Sequence, residues 1–543
     1  MGQAGYVLKS SAVFTGNTDA PFAGGVAVRG ARIMAVGPDK YVDACIGSDT
    51  VVRDCGDKLI MPGLIDSHTH FALGALATSP DLCVNLADCT RSFDQCMREV
   101  VAWASDHPNN EWVLGVQVTQ LNWEAPQMPT AAMIDAYLSD RPVVLQQAGL
   151  HTYSANTCAM SKAGVTRDTP DPYDGHILHD ASGEPTGVFS SGAGAILTRL
   201  VHNPPLEKAR QLFEKTARLA SRLGLTSLGV VAPTFVGLDD PYGMLAELNR
   251  TGRLPLRMFL YTDLTELETK GLEQIRAEND HPGSLIRWKG FKQFGDGVCS
   301  DHTAWMLEPY SNDPSTCGAP ATDPEIIRRN LLKACELGQS VRIHAIGDRA
   351  VRSILDCFEE AQEKFGRQGL RHCMEHNETI EPEDLPRYAE LGVAPAMQPM
   401  HMAFDMAYLA KDDAVGPRRA ALSWPIRSLL ESGACVHLGT DFPVAGLEPM
   451  GGIHAAVYRR LPDGSNPQGW FAEERISLAQ ALRAYTHGSA YAMGVDRDLG
   501  TLSAGKLADI VVLDRDLFAC DPSELLEARS VLTMLDGRPA FEA

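Results

Sequence analysis

Basic charge is what this sequence is short of. Lys and Arg number 48 against 69 Asp and Glu, a formal net charge of −21. A surface that negative repels phosphate backbones and anionic lipid, and no basic cluster reverses the sign locally, which argues against nucleic-acid and membrane roles. Long apolar runs are missing as well: none approaches the about 18 residues of a membrane span. The N-terminal stretch has no basic start followed by an apolar core, so no secretory leader is expected. Met-Gly at the start would suit myristoylation, but Tyr6 stands where Ser or Thr is wanted. The 13 cysteines are scattered, with neither paired metal spacing nor a dense framework, which suits free thiols in a reducing compartment. The expectation is a cytoplasmic protein that acts on a small molecule; a homodimer is compatible with the sequence but not indicated by it.

What is present is the material of a large core. The chain has 543 residues, 44% of them hydrophobic and 22% charged, which calls for two domains or for a barrel with additions. Residues 1–60 hold short β-branched runs bounded by Gly, Asp or Pro, and residues 497–543 do the same. Neither end is long enough for its own core, so the two are expected to join as one small composite β domain, a β-sandwich.

Between them, over 61–496, strand and helix alternate. The apolar runs "KLIMPGLIDSHTH", "TSLGVVA", "LRMFLYTDL", "LIRWKGFKQFGDG", "SVRIHAIG", "LRHCMEHN", "GVAPAMQP" and "ACVHLGTD" read as eight strands, with amphipathic stretches such as "RAVRSILDCFEEAQEKFG" between several of them. Eight strands predict an α/β fold of the TIM (β/α)8 type, with a doubly wound open sheet as the competitor. About 31 residues per strand-helix unit would fill such a barrel. The segment between the first two strands is longer by roughly 100 residues, which places an insertion at about 75–203. Following a strand, the insertion emerges on the catalytic face, where it could cover substrate.

The chemistry is announced by "DSHTH". Residues i and i+2 of a strand project to one side, so His68 and His70 point together into the barrel near the strand's C-terminal end. One such pair is weak evidence, because paired core histidines are common. His344, His376 and Asp441 each fall at the end of a further strand, on the face where barrels do chemistry. Three histidine-bearing strand ends and a carboxylate converging there make a divalent-metal site.

The series "MPGLIDSHTH", "FKQFGDG", "IHAIGDRAV", "MEHN", "QPMH", "GTDFPV" and "GTLSAGKLADIVVLD" resembles the amidohydrolase superfamily, specifically its YtcJ-like branch, which includes N-substituted formamide deformylases. The resemblance covers nearly the whole chain. It implies a distorted barrel with a small composite β domain, and hydrolysis of a carbon–nitrogen bond of amide or formamide type. Carried over residue by residue, it implies that His68, His70 and Asp441 bind one metal ion, zinc being the usual one, while His344 and His376 bind a second. Lys292 matches the lysine whose carbamate, an N6-carboxylysine, bridges two ions in many relatives; the alternative is a plain lysine paired with Asp296 or another carboxylate. Asp441 would be both ligand and proton shuttle.

Further positions are open between a site role and a structural one. His151 could reach the substrate from the insertion. Trp123 could wall the pocket or sit in the insertion's own core. Gln398 and His401 could orient substrate. The run from Met397 to Ala410, rich in Met and aromatics, suits an apolar pocket or a core-facing helix. After "GEPTG", relatives commonly carry a glutamate where this chain has "VFSSG" with Ser190 and Ser191, which implies an altered specificity. Two further functions compete: deamination of an aminated ring, against which stands "HAIGD" in place of H-A-G-E, and a catalytically retired module, against which stands the full set of candidate ligands.

Overall fold

The computed structural model describes every residue except 1–2, 121–122, 126, 173–174, 232–235, 280–283, 409 and 465, together with the side chains of 406–410. Eight parallel strands form the centre: β1 (Leu64–Thr69), β2 (Leu225–Val231), β3 (Arg257–Asp263), β4 (Ile286–Phe294), β5 (Ser340–Ala345), β6 (Cys373–His376), β7 (Ala394–Met397) and β8 (His437–Leu438). Each pairs with its neighbours in sequence order. The end of β8 returns to β1 through a parallel bridge between Thr69 and Phe442, so the sheet is a nearly closed barrel and not the doubly wound open sheet.

Amphipathic helices cover it. The helix Pro324–Glu336 starts where Asp323 accepts the backbone N–H of Glu325, and the helix Asp348–Phe365 buries Val351, Ile354, Leu355 and Phe358 at helical spacing. No helix among the described residues is long and apolar enough to cross a membrane.

The two chain ends meet in one eight-stranded sheet running from Arg538–Glu542 to Arg32–Gly37. Leu8, Val26 and Val28 pack with Ile510, Val512 and Met534, so neither end has a core of its own. This sheet runs directly into the barrel. Leu59–Pro62 pairs with Ile510–Leu513, and Gly63 then turns into β1 so close to β2 that a Cβ there would stand 2.3 Å from Thr226 Cγ2. Only glycine permits that approach. A third sheet, of six strands running from Val84–Asn85 at one edge to Gly175–His179 at the other, lies wholly between β1 and β2 in sequence. Its Gln147 Nε2 donates to Asp301 Oδ1 at 2.8 Å, Thr152 Oγ1 donates to Asp301 Oδ2 at 2.5 Å, and Gln117 Nε2 donates to Pro443 O at 2.7 Å. These bonds hold it against the loops that follow β4 and β8.

Candidate metal centre

The C-terminal ends of β1, β4, β5, β6 and β8 carry the polar side chains into the barrel mouth. The pairing that closes the barrel sets Asp441 beside β1: its backbone N–H donates to His68 O at 2.8 Å. Asp441 Oδ1 then lies 3.2 Å from Nε2 of His68 and 3.2 Å from Nε2 of His70. Donor atoms of His68, His376 and Asp441 all lie within 4.8 Å of one another. The His344 ring meets that of His376 edge-on, with ring centroids 4.4 Å apart, and its Nε2 is 3.2 Å from Gly297 O.

His376 and Asp441 adopt left-handed backbone conformations, φ 71° and 59°, which cost a non-glycine residue about 1 kcal/mol or more and cluster at functional sites. The strain at His376 is held by its neighbour. Asn377, also left-handed at φ 51°, donates through Nδ2 to Met374 O at 2.7 Å and Ala396 O at 3.0 Å, and accepts from Tyr388 Oη at 2.6 Å.

The donor set fits a cation. His68 Nε2, His376 Nδ1, Asp441 Oδ1 and Lys292 Nζ are buried without a hydrogen-bond partner, and each such atom costs about 1–3 kcal/mol if nothing satisfies it. Burial, and then the neighbouring histidine, hold His344 and His376 well below the usual histidine range, so both are neutral, as metal ligands must be. Burial pushes the Asp441 carboxyl up, but His68 and His70 outweigh it and hold it well below the usual carboxylate range. His376 lies near His68 and Asp441 as well as beside His344.

Lys292 is 1% exposed at the end of β4, and burial lowers its ammonium to about 8. Asp296 is not its partner. That carboxylate accepts the backbone N–H groups of Trp305, Ile346 and Gly347 at 2.9, 3.0 and 2.8 Å.

His151 does reach the cluster from the inserted sheet, its ring 5.1 Å from that of His344. His401 stacks on His376 at 5.7 Å and places Nε2 3.6 Å from Asp441 Oδ2 and Nδ1 3.7 Å from Glu378 Oε1. Gln398 is fully buried at the end of β7, with neither amide atom hydrogen-bonded, and it lines neither cavity at the cluster. Trp123 is not a pocket wall: its indole donates to Cys89 O at 3.3 Å and packs with Phe93 inside the insertion's own core. The aromatic ring is satisfied there because the inserted sheet needs an apolar filling of its own. Arg349 and Asp348 open the helix after β5, where Asp348 Oδ1 accepts from Leu307 and Arg349 backbone N–H groups.

Two residues escaped the sequence reading. Glu375 accepts from Nδ1 of His68 on one oxygen and from Nε of Arg342 on the other. Burial pushes its carboxyl up, but Arg342 and His68 together hold it well below the usual range. The available signal was a charged residue inside each of two adjacent apolar strands.

Two cavities meet at the cluster and share Gly149, His151, His344, His376, Asp441 and Val444. The smaller, about 500 Å³, runs toward Ser191, Phe294 and Ala321. Ser190 points elsewhere, its hydroxyl accepting from His176 N at 3.1 Å. The larger cleft, about 1060 Å³, runs between the inserted region and the helix Pro399–Tyr408, from which Phe404 and Asp405 line it.

A family model described as the amidohydrolase family matches residues 51–541. The chain is 31% identical to the protein LONG AFTER FAR-RED 3 of Arabidopsis thaliana, over 99% of this chain and 92% of that one. It is 29% identical to YtcJ of Bacillus subtilis over 89% of each chain, and 26% identical to the N-substituted formamide deformylase of Arthrobacter pascens over 95% and 94%. Its fold matches that of a metal-dependent hydrolase from Pyrococcus horikoshii with a TM-score of 0.74, at 23% identity over 95% of this chain and 99% of that one. With strand order, cluster and sequence in agreement, this chain belongs to the amidohydrolase family and to its YtcJ-like branch.

Proposed function

We propose that the protein is a metal-dependent hydrolase that cleaves a carbon–nitrogen bond of amide or formamide type in a small, partly apolar molecule. The observation that carries this reading is the convergence of His68, His376 and Asp441 within 4.8 Å at the junction of two cavities. The likeness to a formamide deformylase over nearly the whole chain supports it.

His68, His70, His376, His344 and Asp441 would hold one or two divalent ions of the zinc type, and Lys292, converted by CO2 to a carbamate, would add a further anionic ligand. An ion bound there supplies a Lewis acid and brings the pKa of a bound water toward neutrality. The chain's own residues do the rest. Asp441 turns Oδ1 to the histidines and leaves Oδ2 3.6 Å from His401, a position from which it can accept a proton from the attacking water and return it to the departing nitrogen. Glu378, fixed by Lys411 at 3.1 Å, orients His401 from behind. Leu150, Phe294 and Val444 keep bulk water from the reacting carbonyl. Water oxygen bonds to the carbonyl carbon, the C–N bond breaks, and the amine leaves with the proton.

The test is a screen of N-formyl, N-acyl and cyclic amides with Zn²⁺- or Mn²⁺-supplied protein, using Asp441→Asn as the blank. Release of amine by the unaltered protein and none by the variant is the expected result. Equal turnover by Asp441→Asn, or no hydrolysis across the panel, contradicts the reading.

A further inference from the structure

The inserted sheet sets two strained residues against the smaller cavity. Among the described residues, eleven other than glycine have a positive φ, and four of these, Leu150, Ser191, His376 and Asp441, line that one cavity. Such conformations gather at functional sites and ligand clamps. His376 and Asp441 have the metal centre to account for them. Leu150, at φ 62°, and Ser191, at φ 47°, belong to the inserted region and ligate nothing. They stand side by side, because Ser191 N donates to His151 O at 2.7 Å. Glycine would take either conformation without steric cost, and a bulky leucine is the more costly exception. Its side chain therefore needs a reason to be there.

The leucine is firmly held. Its backbone N–H donates to Gln147 O at 3.0 Å, its carbonyl accepts from Tyr153 Oη at 2.9 Å, and Gln147 is tied through Asp301 to the loop after β4. With both backbone groups engaged within the inserted sheet, the isobutyl group is what Leu150 brings to the cavity wall. It belongs to the apolar cluster against which Phe294 and Val444 pack, not to the insertion's own core around Trp123. The carboxylates of this cavity are committed: Asp296 accepts three backbone N–H groups, and Asp441 belongs to the metal centre.

The position of His401 decides which part of a substrate comes here. Asp441 Oδ2 lies 3.6 Å from His401 Nε2, and His401 lines the larger cleft and not the smaller cavity. A nitrogen protonated from that side departs into the larger cleft with its substituent. The acyl carbon then turns its own substituent the other way, into the smaller cavity.

We propose, resting on the hydrolase reading above, that Leu150 is a specificity-determining residue whose side chain ends the acyl subsite. Formyl and acetyl groups fit in front of it, longer acyl chains do not, and the length of the amine portion is not limited by it.

Straight-chain hydroxamates test this on the full-length, Zn²⁺-supplied protein, since they bind a metal through two oxygens, need no turnover, and put their alkyl chain where the acyl substituent would lie. Affinities of formo-, aceto- and hexanohydroxamate are measured by calorimetry; N-butylformamide, N-butylacetamide, N-butylhexanamide and N-hexylformamide are assayed for turnover. Acetohydroxamate is expected to bind at least about ten-fold tighter than hexanohydroxamate. In Leu150→Gly, whose residue suits the backbone at this position, the two should come within about two-fold of each other. N-butylhexanamide should then become a substrate, with the ratio of N-hexylformamide to N-butylformamide turnover as before; a zinc content equal to that of the unaltered protein shows that the variant has folded. Leu150→Phe moves the limit the other way, weakening acetohydroxamate at least about five-fold and sparing formohydroxamate. Equal affinities for aceto- and hexanohydroxamate in the unaltered protein, no binding by any hydroxamate, a length limit that survives in Leu150→Gly, or a change in the amine series in place of the acyl series overturns the proposal. Cleavage of N-butylhexanamide by the unaltered protein as fast as of N-butylformamide also overturns it and leaves the hydrolase reading standing. The expected hydroxamate order with none of the amides cleaved upholds Leu150 as the limit and contradicts amide hydrolysis.

Discussion

The Glu375 carboxylate receives the Nδ1 proton of His68, which leaves Nε2 of that ring turned toward Asp441 at 3.2 Å. A buried carboxylate behind a metal-binding imidazole fixes its tautomer and raises its basicity. Arg342, buried on the far side of Glu375, keeps the carboxylate charged. Glu375→Gln should lower Zn²⁺ affinity by about 10- to 100-fold, read by competition with a chromophoric chelator. An unchanged affinity would remove Glu375 from the account.

Lys292 offers a second test. Its buried Nζ, without a hydrogen-bond partner, suits reaction with CO2, which turns a repelled ammonium into an anion. Lys292→Ala should lose most of the activity and regain part of it in millimolar acetate or propionate with bicarbonate. Full activity in the variant would show that no carbamate is needed.

The terminal sheet is fastened to the barrel by Arg257 on β3. Its guanidinium meets Asp509 through two bonds of 2.8 and 3.1 Å and also touches Asp536. Arg257 and Asp509 are both nearly inaccessible, so Asp509→Ala leaves the buried guanidinium with Asp536 alone and should destabilise the protein by about 1.5–3 kcal/mol. A shift in the urea midpoint of under about 1 kcal/mol equivalent would contradict this.

Asp301 ties the inserted sheet to the loop after β4 through Gln147 and Thr152. Two hydrogen bonds of about 1 kcal/mol each hold the roof of the cleft, so Asp301→Ala should raise KM several-fold with a smaller change in kcat. An unchanged KM would mean that the Gln117–Pro443 bond and packing hold the roof without Asp301.

The barrel was legible because each strand is a short apolar run, and because the polar residues that end them, His70, His344, His376 and Asp441, stand where a core run has no other use for them. The joining of the chain ends was legible from their length. What was hidden depends on pairing between distant segments. Glu375 stands directly across from His344 in the β5–β6 register, and only that register brings Arg342 and His68 to its two oxygens. Trp123 shows the same limit in reverse, since a tryptophan in an insertion reads alike whether it faces a pocket or fills a core.

The central claim is that the buried cluster holds a divalent ion that hydrolysis requires. Elemental analysis of the purified protein, with the same preparation assayed before and after chelation, tests it most directly. At least one equivalent of a divalent transition metal per chain is expected, reduced in His68→Ala and in His376→Ala, with amide hydrolysis lost on chelation and restored by Zn²⁺ or Mn²⁺. A protein that stays metal-free when these ions are supplied, or one that hydrolyses amides at full rate without them, would contradict the account.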